Sequence, residues 1–357
     1  MKLAIAKIGA TITFSANNSS AANADILYFL RQLEIDNHDI TIITHKTRNT
    51  KIPKRIKFLE VAKTPNIEEF DALLVFNGSI NFFGGACDPN LLALYNMMRC
   101  STIPIVYVNT DGQLYFKQLW PSIWKRDWAQ NLHQNDYWVD PTRVSYLTQA
   151  SDKARLEKFI DSKDDAIKPD SIRHYPIART ILAKHEKFIP KNETPYHLKT
   201  YDLGFGGATR NTYKRKRIEH YYNHPNTLLF GNLRGVTAPL AKMQAKCSYQ
   251  HFIRMMMMCK STVIVGDEFY EDNHCTLRFY ESLLADCVTY IDRRMDPHFH
   301  WYGGMRDFHI TNPEEIYIDT LEYNAFREYK NFVLDSYEEE SEREELETVI
   351  KLCADLI

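Results

Sequence analysis

Short runs rich in β-branched residues alternate with amphipathic stretches along this chain, and they do so twice. In the first half the runs are residues 3–8, 39–44, 72–76 and 103–108, with helical patterns at 26–33 and 90–98 between them. The second half repeats the alternation at 203–206, 227–230, 262–265, 288–291 and 316–318. Strands alternating with helices are the pattern of βαβ units and a parallel sheet. The expectation is an α/β fold of two Rossmann-like domains, and 357 residues are more than one core usually holds. Between the halves, over residues 153–192, charge and proline content rise and hydrophobic periodicity falls, with Tyr175-Pro176-Ile177 as the crossing point. This places a first domain at 1–178 and a second at 179–335. The remaining segment, 336–357, is acidic and then sets Leu346, Ile350, Cys353 and Ile357 at helical spacing, so it should form a helix packing back on the first domain.

A net charge of -2 gives no general field for nucleic acid, so any such binding must come from local basic patches. Seven cysteines, an odd number without CxxC spacing, read as buried thiols in a reducing compartment, which points to a cytoplasm. No apolar run reaches the length of a membrane span, and residues 2–9 read as a strand interrupted by Lys7 instead of a leader. His298, His300 and His309 lack the Cys or carboxylate frame of a metal site and are read as surface residues, so no protein-held metal is expected. Met255 to Met258 are read as helix-core filling.

The most informative stretch for chemistry is 262–281. An apolar strand ends in Gly266-Asp267, a polar loop follows, and a helix then carries Arg278 and Glu281 three residues apart on one face. A guanidinium can take a diphosphate bidentately, and a carboxylate can accept both hydroxyls of a ribose. On spacing alone a surface ion pair is the better account of these two residues. Neither GxGxxG nor GxxxxGK[ST] occurs. Instead Gly206-Gly207-Ala208-Thr209-Arg210 follows a strand and opens a basic helix through Lys214, Arg215, Lys216 and Arg217. The glycines permit close approach and the helix N-terminus offers N–H groups to phosphate, although a solvated basic face has the same composition.

Several words of the sequence, in order and over nearly the whole chain, resemble the DNA β-glucosyltransferases of T-even bacteriophages. They are the segment 77–85 (NGSINFFGG), Thr110-Asp111, Trp120-Pro121, Arg126-Asp127-Trp128-Ala129, Tyr175-Pro176-Ile177, Gly206-Gly207 with Arg210, Phe230-Gly231-Asn232, and Gly266-Asp267 through Thr276-Leu277-Arg278 to Glu281. The resemblance implies the GT-B architecture, two Rossmann-like domains facing across a cleft. It further implies inverting transfer of a sugar from a UDP-sugar to the hydroxymethyl group of flipped 5-hydroxymethylcytosine in duplex DNA. The partners would be that DNA and the donor, with a divalent cation, Mg or Mn, assisting through the diphosphate. The expected state is a monomer with no membrane association, in the cytoplasm of an infected bacterial host.

By the same resemblance Asp111 is the base that removes the acceptor proton, although Thr-Asp-Gly is also ordinary turn sequence. Gly207, Ala208, Arg210, Lys214, Arg215, Phe230, Gly231, Cys247, Arg278 and Glu281 are the UDP-binding set. Lys214 stands where the family has a third phosphate-binding arginine; it keeps the charge and loses the bidentate fork, which Arg215 can replace. Asp25 and Asp267 are assigned to the sugar. Asn81, Phe82, Phe83 and Gly84 match the segment inserted where the base has left the stack, and Lys125 and Arg126 are assigned to phosphates.

The largest departure lies after Gly9, where extra residues surround the position of the family's sugar-holding acid and only Asp25 is at hand. Glucose is the first choice of donor. UDP-arabinose or another pentose is the alternative of the same class. A glycosyltransferase for small molecules or proteins, and a non-catalytic binder of modified DNA, are alternatives of other classes. Sugars on phage DNA would block host nucleases.

Overall fold

In the computed structural model the chain divides into two compact units, residues 1–177 with 342–357, and 178–341. The structure describes residues 1–6, 38–44, 56–60, 66–76, 89–109, 139–148, 171–174, 194–209, 211–245, 249–268, 276–299, 301–302 and 305–335, with a few isolated positions besides.

The first unit is built on strands β1 (Lys2–Ala6), β2 (Asp39–Thr44), β3 (Lys57–Glu60), β4 (Ala72–Phe76), β5 (Ile105–Asn109), β6 (Val144–Thr148) and β7 (Ser171–His174). They form one seven-stranded sheet in the order β3-β2-β1-β4-β5-β6-β7, and every pairing is parallel. Near-continuous apolar runs such as Leu3-Ala4-Ile5-Ala6 and Ala72-Leu73-Leu74-Val75 are fully buried, as a sheet covered on both faces requires. Helix α1 (Pro89–Cys100) supplies Met97 and Met98 to that core. Strand order reverses between β1 and β4, the place where open α/β sheets bind ligands.

The second unit repeats the plan with β8 (Tyr201–Ala208), β9 (Thr227–Asn232), β10 (Lys242–Gln244), β11 (Cys259–Ile264), β12 (Val288–Asp292) and β13 (His309–Ile310). Their order is β10-β9-β8-β11-β12-β13, again all parallel. The crossovers include α2 (Thr212–Tyr222), α3 (Tyr249–Met257) and α4 (Leu277–Leu284), and α5 (Thr320–Asp335) follows the last strand. One sheet face is filled by Phe205, Tyr222, Val263, Phe279, Tyr290 and Tyr302 among others. The opposite face is filled by Phe230, Phe252, Met255, Met256 and Met257. The switch point lies between β8 and β11.

At the start of β11 and β12, opposite the ligand edge, Asp286 is buried against Lys330 Nζ at 2.8 Å and also accepts from Tyr323. Burial pushes its carboxyl up, but the Lys330 charge and these hydrogen bonds outweigh burial and hold it below the ordinary value. Lys199, also buried, donates to the carbonyl of Met257 at 3.0 Å and closes the C-terminus of α3.

Several sequence expectations are corrected. Residues 316–318 are not in a sheet; the edge strand is His309–Ile310, too short to show a period. Strands β3, β6, β7 and β10 went unrecognised, and β7 lies inside the stretch read as a linker. His309 is buried, its Nε2 2.9 Å from Asp296, and is not a surface residue. Cys100 is exposed, whereas Cys259 and Cys287 are buried thiols as expected. The methionines fill the core through Met257, but Met258 is exposed at the helix end. The terminal helix expected over 346–357 and the pattern at 26–33 lie outside the described residues, apart from a helical Lys351.

Candidate nucleotide site

The carboxyl ends of β8, β9 and β11 gather most of the expected UDP set. Gly207 and Ala208 close β8, and Phe230-Gly231 runs beside them with Gly206 paired to Phe230 and Gly207 to Gly231. Gly231 has φ of +123°, and a Cβ there would lie 2.0 Å from the Gly207 carbonyl oxygen, so only glycine fits. A Cβ on Gly206 would fall 2.2 Å from the Phe252 ring and 2.5 Å from that of Phe230. Phe230 itself is buried, with its ring centroid 5.1 Å from that of Phe252, so it forms the floor of the site and leaves the Gly231 backbone to approach a ligand.

Above that floor Arg278 stacks its guanidinium 3.8 Å from the Phe252 ring centroid. Its Nη1 lies 2.6 Å from Glu281 Oε2. The pair is ionic but does not have hydrogen-bond geometry: both atoms are buried without a hydrogen-bond partner among the described residues, as is the hydroxyl of Thr276 at the N-cap of α4. The ion pair that spacing alone predicted is therefore present but not on the surface, since the Glu281 side chain is only 2 % exposed. A buried carboxylate oxygen with unused acceptor capacity is costly unless a ligand completes it. Cys247 packs against the same cluster; burial pushes its thiol up, opposed by the Arg278 charge.

On the other side of the switch point the chain leaves β8 through Thr209, whose N–H donates to Asn232 O at 2.9 Å and whose hydroxyl donates to Arg234 O at 3.1 Å. Asn211 then caps α2, its Oδ1 accepting from Lys214 N at 2.9 Å. The amide of the same side chain donates to Asp267 Oδ1 at 2.8 Å. One residue thus fixes both the first turn of α2, with its outward N–H groups and positive dipole end, and a buried carboxylate at the end of β11.

Not all of the basic run on α2 is available. Arg217 makes a buried pair with Asp292, Nε at 2.7 Å and Nη2 at 2.5 Å, and serves the fold. The Arg215 guanidinium lies under Gly235, where a Cβ would approach it to 3.0 Å, and its Nε is buried without a partner among the described residues.

Arg210, the candidate base Asp111, the sugar residue Asp25, the loop of Asn81, Phe82, Phe83 and Gly84, and the pair Lys125 and Arg126 lie outside the described residues. Sequence reading missed Asn211 and Phe252. An Asn before a basic helical run is an N-cap signal and could have been used. Phe252 had no signal, because its role arises from packing against Phe230 and against Arg278 of the next helix.

A family model described as bacteriophage T4 beta-glucosyltransferase matches residues 1–163. The DNA beta-glucosyltransferase of Enterobacteria phage T4 is 26% identical over 326 residues, 88% of this chain and 87% of that protein. The chain is similar to the phage T4 β-glucosyltransferase. Solved structures agree on the fold. The T4 phage enzyme in complex with UDP and Mn2+ superposes with a TM-score of 0.73 at 20% identity, covering 99% of this chain and 100% of that one. WaaG, a glycosyltransferase of lipopolysaccharide biosynthesis, gives 0.52 at 10% identity, covering 98% and 99%. The fold of this chain is therefore GT-B, two Rossmann-like domains.

Proposed function

We propose that this protein is an inverting, UDP-sugar-dependent glycosyltransferase that acts on DNA, moving a sugar, glucose first, to the hydroxymethyl group of flipped 5-hydroxymethylcytosine. The observation that carries the reading is the buried Glu281 carboxylate beside Arg278 at the switch point, with acceptor capacity left over where a ribose would lie. The curated relative is named a DNA beta-glucosyltransferase, and solved T4 phage structures hold UDP-glucose, or UDP with Mn2+.

The chemistry follows from the residues. Asp111 takes the proton of the acceptor hydroxyl as its oxygen bonds to C1 of the sugar and the C1–oxygen bond to UDP breaks on the opposite face, which inverts the centre. Arg278, the N-terminus of α2 and Arg210 take up the charge that develops on the diphosphate, the first two being fixed in place beforehand. Asp267, held by Asn211, accepts from sugar hydroxyls. A divalent cation would help to neutralise the diphosphate, and among the described residues no three His, Cys, Asp or Glu side chains are grouped to hold one. Nor is any described helix long and apolar enough to cross a membrane.

An Asp111→Ala variant tests the reading. Loss of transfer with UDP and DNA binding retained supports it. A parent protein that binds both and transfers nothing would replace it with the non-catalytic binder. The sugar coat would also slow host nucleases, and a restriction digest that cuts treated and untreated phage-type DNA equally fast would remove that role.

A further inference from the structure

With a net charge of only -2, DNA affinity has to come from a local patch, and the second unit carries one outside the nucleotide site. It lies at the same carboxyl edge of the sheet, in the loop after β12 and just before β13. Phe299 sits there with φ of +62°, a left-handed conformation that a bulky side chain adopts only under strain. Its ring holds two guanidiniums, Arg293 at 5.3 Å and Arg306 at 5.0 Å from the centroid. Both arginines are exposed, and neither has a carboxylate partner among the described residues. Exposed Arg294 joins them and reaches Tyr213 in the first turn of α2 at 3.4 Å, which makes the patch continuous with the nucleotide site.

The support beneath Phe299 is built and buried. Its ring meets that of His309 edge-on at 4.8 Å, His309 is fixed by Asp296 at 2.9 Å, and Asp296 also accepts from Trp301 N at 2.8 Å. Of the nearby carboxylates, Asp292 pairs with Arg217 and Asp296 with His309, while exposed Asp307 accepts from the Tyr329 hydroxyl at 2.9 Å and Glu271 accepts from the Tyr213 hydroxyl that Arg294 reaches. Stacking two like charges on one strained ring serves no fold purpose that the structure shows, but it does preorganise two forks for anions.

We propose that Arg293, Arg294 and Arg306, held by Phe299, form a second contact surface for the phosphate backbone of duplex DNA. The surface rests on the DNA reading above and extends it to the nucleotide-binding unit. Such contacts position the duplex without reading its sequence. Each phosphate neutralised contributes about 0.9 to the slope of log affinity against log salt.

The test is equilibrium binding of a fluorescent duplex without modified bases, across a salt series, to the parent, to an Arg293→Glu/Arg306→Glu double variant, and to Phe299→Asn. Asparagine tolerates the left-handed backbone but removes the ring. UDP affinity serves as the control for folding. The double variant is expected to bind at least tenfold more weakly, with the slope reduced by about 2, and Phe299→Asn to weaken binding severalfold. UDP affinity stays unchanged in both. A double variant with parental affinity and slope overturns the surface while leaving the DNA reading intact. A parent that binds no duplex at all overturns the DNA reading and this surface with it.

Discussion

Asn211 does two jobs with one side chain, and replacing it separates them. Its Oδ1 caps α2 and its amide holds Asp267, at 2.9 and 2.8 Å. Serine caps a helix about as well as asparagine, but its hydroxyl is too short to span to Asp267 while capping. Asn211→Ser should therefore keep the helix and release the carboxylate. Asp267 is only 5 % exposed, so the lost hydrogen bond is not screened by solvent, and a bond to an ionised acceptor is worth about 1.5–3 kcal/mol. If half of that is expressed in binding, the preference for UDP-glucose over UDP falls about four- to tenfold, while UDP affinity, assigned to Arg278, Glu281 and the intact α2 terminus, changes little. Asn211→Ala loses the cap as well and should cost about 1 kcal/mol more in folding stability, with UDP affinity falling too. Calorimetric titration with UDP and with UDP-glucose, together with urea denaturation, reads all of these. A serine variant with the parental ratio of UDP-glucose to UDP affinity, or one indistinguishable from alanine in every measurement, would refute the reasoning.

Glu281→Gln removes a buried charge from beside Arg278 and should weaken UDP binding at least tenfold while leaving affinity for inorganic diphosphate within a few-fold, as competition titration would show; equal loss for both ligands would deny the ribose role. Gly231→Ala places a Cβ 2.0 Å from the Gly207 carbonyl, so the expected outcome is a loss of several kcal/mol in stability or a displaced β9 edge, and a urea midpoint matching the parent would contradict it. Lys330→Met strands Asp286 in a buried site and should destabilise the protein by about 3 kcal/mol or more at neutral pH. The Asp286 carboxyl is held below its ordinary value, so its contribution is complete above the unfolded value and is lost only as pH falls through the depressed one. In the variant burial raises that group, so protonation relieves the strain and the gap between parent and variant narrows on acidification; a gap independent of pH would place the effect elsewhere.

The parallel sheets were legible because strands buried on both faces must be written as near-continuous apolar runs, as in β1 and β4. Strands β3 and β13 were not, being only four and two residues long, and β7 sat in a charged stretch. The pairing of Arg278 with Glu281 was legible from spacing, but its depth was not, because burial comes from Phe252 on a different helix. The surface reading of His309 failed for the same reason: the acid that fixes it is 13 residues away and approaches only through the fold. Arg217 read as part of a basic face, yet its partner Asp292 lies 75 positions further along the chain. Short motifs pointed to the carboxyl ends of β8 and β11, and long-range packing decided which of the charges there are already paired.

The most direct test of the central claim is to incubate the protein with duplex DNA containing 5-hydroxymethylcytosine and, in separate reactions, UDP-glucose and UDP-arabinose, then digest to nucleosides and weigh them. The account predicts a hexose increment on hydroxymethylcytosine, absent when Asp111→Ala replaces the parent. A pentose increment alone would keep the reaction and change the donor. No increment with either donor, from protein that binds UDP, would contradict it.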